Sequence, residues 1–540
     1  MSVQLSKPRR GGRPVVRAGA ALTALVIAIA GATVTTAHAS SADTVVTTDS
    51  GAVRGTVVSG TFAFRGVPYA AAPTGDRRWR APGATAAWQG VRDATAFGAN
   101  CPQPVANNLF LPPGPMAEDC LFLNISTPTL RHDGRPVLVW IHGGGWTQDA
   151  ARDYDGTKLA QDGVVVVTIN YRLGALGFLS HPALASSPGG ASGNYGLMDQ
   201  QTALRWVQNN IRRFGGDPHN VTIAGESAGG LSVLAHLISP GSRGLFQRAI
   251  IESGSFAPQQ FTLAHASAFG QVFAQSVGCP DQSASCLRAV PVDTLVDNFP
   301  GAAIPGTIDG AVIRESFGTA LAGGRFARVP VLNGVNTDEQ RVFVIALGLT
   351  VTGGSYVPIP GGPGSITPDN YEADIAAVLG VSAARAAAIA AEYPVGAYSS
   401  PGVAFSTLDH DASWACTALV MDQALAKYVP TFAYEFNDDA APPRYFPSFG
   451  VATHGSELSY IFDLPAAPIQ APFSPDSAAL ASSMRSAWAS FAASGDPASG
   501  SDLRWPSFGN KQRVLSLRAP GSQVTNDFAS RHHCGFWAGG

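Results

Sequence analysis

The stretch VTIAGESAGG, residues 221 to 230, ends an apolar, β-branched run on a serine flanked by small residues. A serine hydroxyl is a weak nucleophile until a base takes its proton. It must also stand clear of the backbone, which a tight strand-to-helix turn achieves only if the neighbouring positions are small. Gly225 and Gly229 meet that need, and Gly-Glu-Ser-Ala-Gly has the G-x-S-x-G spacing of a nucleophile elbow with Ser227 at its tip. The pentapeptide alone says little in a chain with 60 glycines. Its surroundings say more, because 221–224 reads as a strand and 228–238 as a helix.

Acyl transfer through a serine also needs donors for the negative charge that develops on the attacked carbonyl. The segment IHGGGW, residues 141 to 146, follows another strand-like run. Its glycines let backbone N–H groups approach a substrate oxygen, and the N–H of Ala228 adds a further donor. Losing one such donor typically costs about 3–4 kcal/mol of transition-state stabilisation. The acid and the base should follow the serine in that order. GVNTDEQ follows a late strand-like run, so Asp338 and Glu339 both qualify by chemistry. Four histidines lie beyond them. His410 sits between Asp409 and Asp411 in what reads as a solvated helix start, and His532 and His533 crowd Cys534. His454, in the glycine-flanked loop VATHGSE, is the best-placed base.

The elements that must hold these residues are legible as short Val- and Ile-rich runs at 136–142, 164–170, 221–224, 249–251, 329–333 and 431–436. They are almost continuously apolar, as strands covered on both faces are. Helical spacing appears between them at 199–211, 228–238 and 482–492. Alternating strands and helices predict an α/β fold with a large, mostly parallel central sheet flanked by helices. No G-x-G-x-x-G follows the first strand, which argues against a dinucleotide-binding version. The Gly/Pro-rich stretches 111–115 and 353–364 read as loops within a fold, so residues 40–540 are expected to form a single catalytic domain.

The bulk composition agrees. With 45% hydrophobic and 14% charged residues over 540 positions, the chain can bury a large core. A net charge of -3 and the lack of any basic stripe exclude nucleic acid as a partner. Residues 7–17 are basic, 18–34 form a long apolar run, and Ala37-His38-Ala39 is a small-x-small cleavage site. That pattern predicts a secretory signal peptide, residues 1–39, and no stable membrane anchor. Arg9-Arg10 leaves the twin-arginine and general export routes both open. Six cysteines in an exported chain suit disulfides, and no CxxC or HExxH spacing points to a metal. The sequons at Asn124 and Asn220 fall in or beside predicted strands and are read as chance.

These residues resemble the type-B carboxylesterase and cholinesterase family of α/β-hydrolases. The resemblance runs from about Val53 to Trp537. It is carried by FRGVPYAAAPTGDRRWRAP at 64–82, EDCLFLN at 118–124, NYRLGALGFL at 170–179, GNYGLMDQQTALRWVQNNI at 193–211 and FGGDPHNVTIAGESAG at 214–229. It implies an α/β-hydrolase fold whose inserted loops and helices form an active-site gorge, and a secreted serine carboxylesterase without metal or organic cofactor. Ser227 would be the nucleophile, Glu339 the acid and His454 the base, with Gly144, Gly145 and Ala228 as oxyanion donors. Glu226 and Ser253 match positions near the histidine. The cysteines would pair as Cys101–Cys120, Cys279–Cys286 and Cys416–Cys534. One departure stands out: family members usually carry glycine after the acid, and this chain has Gln340.

The resemblance also bears on the substrate. The first disulfide loop contains Phe110 but lacks the tryptophan with which cholinesterases hold a quaternary ammonium, which disfavours choline esters. Phe110, Leu111, Trp146 and Phe256 are expected to line an apolar pocket for a small-molecule ester, in a monomeric enzyme. A lipase acting on longer acylglycerols is the nearer alternative. A non-catalytic adhesion relative is the more distant one, since such relatives typically lose a triad member.

Overall fold

β-Branched and aromatic runs, apolar on both faces, become the interior strands of one 11-stranded sheet. The structure, a computed structural model, describes residues 44–105, 114–185, 191–299, 306–353 and 355–539. In chain order the strands are β1 (Thr56–Val58), β2 (Thr61–Pro68), β3 (Phe122–Thr127), β4 (Arg135–Ile141), β5 (Val165–Ile169), β6 (Gly216–Glu226), β7 (Arg248–Glu252), β8 (Val331–Asn336), β9 (Thr431–Phe436), β10 (Val514–Leu517) and β11 (Gln523–Thr525). Across the sheet they run β1-β2-β3-β5-β4-β6-β7-β8-β9-β10-β11. From β5 to β10 every pairing is parallel. The strands beyond, at both edges, pair antiparallel. The α/β-hydrolase expectation holds. Ser41–Gly540 is one compact unit.

The two-residue period of β4 explains the layering. Val137, Val139 and Ile141 enter one core with Leu204 and Val207 of α1 (Tyr195–Asn210) and Leu231 and Leu234 of α2 (Ala228–Ile238). Leu138 and Trp140 face the other core, where Met484, Trp488 and Phe491 of the helix Pro475–Ser494 cover the sheet. A strand buried on both faces has no polar side to display, hence the unbroken apolar runs.

Three expectations need correction. The strand foreseen at 329–333 continues through Asn336, because β7 and β9 bracket it on either side and Gly334 makes room for the Tyr434 ring. The stretch 353–364 is not all loop, since Ser355–Pro358 pairs antiparallel with Leu349–Thr352. His410 does not begin a solvated helix: it ends the helix Pro401–His410 and is 1% exposed. Its acidic neighbours are themselves buried and bonded, Asp409 to Thr352 and Ser413, and Asp411 to Tyr393 and His532. The structure pairs Cys101–Cys120, Cys279–Cys286 and Cys416–Cys534. Residues 1–39, the expected signal peptide, lie outside the described residues.

Candidate active site

Parallel strands all end on the same edge, and ligands in open α/β sheets bind in the crevice outside those carboxyl ends. Here the glycine segment follows β4, Ser227 follows β6, Ser253 follows β7, Glu339 lies just past β8, and the chain leaving β9 returns to bring in His454.

Ser227 sits between β6 and α2 with φ 56° and ψ -124°, a conformation that L-residues adopt only when the surroundings enforce it. The enforcement is visible. Its N–H donates to the Glu252 carbonyl at 2.9 Å, and its carbonyl accepts from the Leu231 N–H at 3.0 Å. A Cβ on Gly229 would come within 2.0 Å of the Ile141 carbonyl oxygen, and one on Gly225 within 2.6 Å of Gly229. Only glycine lets α2 pass this close to the end of β4, and this closeness lifts Ser227 into the cleft. Ala228 opens α2, so its N–H is among the first-turn donors without an intrahelical acceptor. Gly144 and Gly145 turn beside it with φ 79° and 64°. Both line the same cleft as Ser227 and His454.

Behind the serine, His454 Nδ1 lies 2.6 Å from Glu339 Oε2. The other Glu339 oxygen accepts from Ser253 Oγ and from the Asn336 N–H, each at 2.6 Å. The Glu339 N–H donates to His410 Nδ1 at 3.2 Å. A fully buried carboxylate with this many donors is held in one orientation and fixes the imidazole ring. Asp338, the other acid left open by chemistry, turns away to Arg341. Glu226 Oε1 lies 3.2 Å from His454 Nε2, within ion-pairing distance but not aligned for a hydrogen bond. Burial, and then the negative charge of Glu339, push the Glu226 carboxyl well above the usual range. Burial raises the neighbouring Glu252 carboxyl to about 8, against the bond from Trp488 that lowers it. His454 thus has Glu339 hydrogen-bonded at Nδ1 and, near Nε2, a Glu226 carboxyl that its surroundings disfavour as an anion. The other three histidines serve elsewhere: His410 behind Glu339, His532 between Asp411 and Glu435, and His533 on Glu392.

The cavity volume of the cleft is about 80 Å³. Its apolar walls are not the ones expected. Trp146 is 1% exposed, stacked on Phe178 at 4.7 Å, with its indole N–H on Ser232 Oγ. Phe256 stacks on Trp414 at 4.3 Å, and it is Trp414 that meets the His454 ring. Both expected residues are packed into the core beneath the cleft. Phe110 and Leu111 lie outside the described residues. Phe343, Tyr356, Tyr445, Phe446 and Phe449 line the cleft instead. The last three belong to the proline- and aromatic-rich run just before His454, a visible signal whose direction could not be read from the sequence.

The comparisons with known proteins converge on one answer. A model of the carboxylesterase family matches residues 42–537. The chain belongs to the carboxylesterase family. It is 36% identical over 505 residues to the fumonisin B1 esterase of Sphingopyxis macrogoltabida, covering 88% of this chain and 86% of that one. It is 32% identical over 502 residues to the para-nitrobenzyl esterase of Bacillus subtilis (strain 168), covering 89% and 96%. The cocaine esterase of Oryctolagus cuniculus is 34% identical over 530 residues, covering 88% and 92%. A solved structure of PNB esterase superposes with a TM-score of 0.77 at 31% identity, over 91% of this chain and 99% of that one. As a member of this carboxylesterase family, the chain is a carboxylic ester hydrolase.

Proposed function

We propose that ester hydrolysis proceeds through an acyl-enzyme on Ser227, with His454 as general base, Glu339 as its orienting acid, and the N–H groups of Gly144, Gly145 and Ala228 as the oxyanion hole. Ser227 attacks the ester carbonyl as His454 takes its proton. The tetrahedral intermediate collapses, and His454 protonates the leaving alcohol. Water repeats the cycle on the acyl-enzyme and frees the acid. Glu339 holds the ring through Nδ1 and stabilises the imidazolium, which leaves Nε2 for the serine proton. The observation that carries this reading is the 2.6 Å contact between Glu339 and His454 at the wall of a cleft that Ser227 also lines.

On the same reading the protein is a monomeric, secreted carboxylesterase with one catalytic domain, residues 40–540. The basic-then-apolar leader with its Ala37-His38-Ala39 site and the three disulfides support export. The cleft favours an esterase over a lipase, since prolines and aromatic rings wall it from the side of His454. Initial rates on p-nitrophenyl esters of increasing acyl length, with Ser227→Ala as the comparison, test the reading. Activity peaking at short chains and absent from Ser227→Ala is expected. Full activity in the variant contradicts the nucleophile, and a jump in rate when substrate forms an interface moves the assignment to lipase.

A further inference from the structure

We propose that Gln340 sets the size of ester that the cleft accepts, by pinning the hairpin that carries Tyr356. The inference rests on the esterase reading above and names a specificity device within that site. Gln340 follows Glu339 directly and is 0% exposed. Its Nε2 donates to the Val351 carbonyl at 2.8 Å, and its Oε1 accepts the Val351 N–H at 3.1 Å. Val351 belongs to the strand Leu349–Thr352, and its partner across the hairpin is Tyr356. In an antiparallel pair, alternate residues turn both backbone groups away from the partner strand. Val351 is such a residue, and the Gln340 amide takes the position that a third strand would occupy. A glycine at 340, the residue usual in the family, has no side chain with which to do this.

What the clamp holds is a wall of the reaction chamber. Tyr356 lines the cleft between the glycine turn and Phe343. Its hydroxyl comes so close to Gly145 that a Cβ there would meet it at 2.9 Å, and its ring centre is 6.3 Å from that of Phe343. The hairpin has lesser ties, from Thr352 to Asp409 and from Ile359 to Gly348. Neither grips the residue opposite Tyr356. Gln340 is not itself among the residues lining the cleft, so it acts as a positioning residue and Tyr356 makes the contact.

The test compares kcat/KM across two ester series in wild type, Tyr356→Ala and Gln340→Leu. One series lengthens the acyl chain on p-nitrophenol, and the other enlarges the alcohol on acetate. Tyr356→Ala is expected to raise the rate on the largest ester relative to the smallest by about tenfold in at least one series. Gln340→Leu is expected to shift the same series in the same direction. Should Gln340→Leu not fold, Tyr356→Ala carries the test with Gln340→Gly beside it. A purely structural role would lower all esters by one factor. Variant profiles superimposable on wild type in both series therefore overturn the inference while leaving the esterase reading intact. A wild type inactive on every ester overturns that reading, and the inference falls with it.

Discussion

Glu339 carries the sharpest residue-scale prediction. Glu339→Gln keeps the shape and the hydrogen bonds that a neutral amide can make, but it removes the charge facing His454. The expected result is a fall in kcat of about 10⁴-fold with KM changed only a few-fold. Initial rates check it, and a loss below tenfold would remove Glu339 from the mechanism. Much of this was legible beforehand. Ser227, the glycine turn and His454 could be read from residue type and spacing, because the chemistry demands small neighbours and a flanking base. The choice of Glu339 over Asp338 could not, since both are acids one position apart. It depends on β8 running to Asn336, which turns Glu339 toward the histidine and Asp338 toward Arg341. Trp146 and Phe256 were expected in the pocket for a related reason. An aromatic residue beside a strand end faces either the crevice or the core, and Trp146 and Phe256 face the core.

At the scale of elements, the site depends on how closely α2 crosses β4. Gly229→Ala places a methyl group against the backbone oxygen of Ile141, where no side chain can yield. Overpacking of this kind costs roughly 1–3 kcal/mol, and contact with rigid backbone puts this case at the upper end. Denaturant unfolding of the variant against wild type measures it; an unchanged midpoint would mean that the elbow is not held by this contact. Strand and helix positions in the interior were legible because burial on both faces leaves an apolar run of recognisable length. The strands β1, β2, β3, β10 and β11 were not among the runs read from the sequence, since each is short or mixes polar with apolar residues. Nor was the hairpin 349–358, where the Gln340 side chain bonds both backbone groups of Val351.

Over the whole molecule, distant parts of the chain meet at buried polar groups. His532, near the C-terminus, lies 2.6 Å from Asp411 and 2.8 Å from Glu435, two residues before the cysteine that pairs with Cys416. Burial alone would lower the His532 pKa, but these two carboxylates hold it up at about 9. Burial likewise opposes ionisation of Glu435, and the bonds from His532 and Arg531 bring it down to about 2. A histidine raised in the folded state adds stability that is complete below its unfolded pKa of about 6.5 and lost as pH rises through the folded value. The gap in thermal midpoint between wild type and His532→Gln should thus be widest near pH ~6 and shrink toward pH ~9. A gap independent of pH would contradict the charged contact. No sequence pattern announces this network, because His532 lies 121 residues from Asp411 and 97 from Glu435 along the chain. The intact protein also offers the most direct test of the mechanism. The enzyme is mixed with p-nitrophenyl acetate, quenched during the first turnover, weighed whole and then mapped by peptide. The triad predicts one acetyl group, found on the peptide containing Ser227 and absent from Ser227→Ala. Turnover with the acetyl group elsewhere, or with none formed at all, would contradict it.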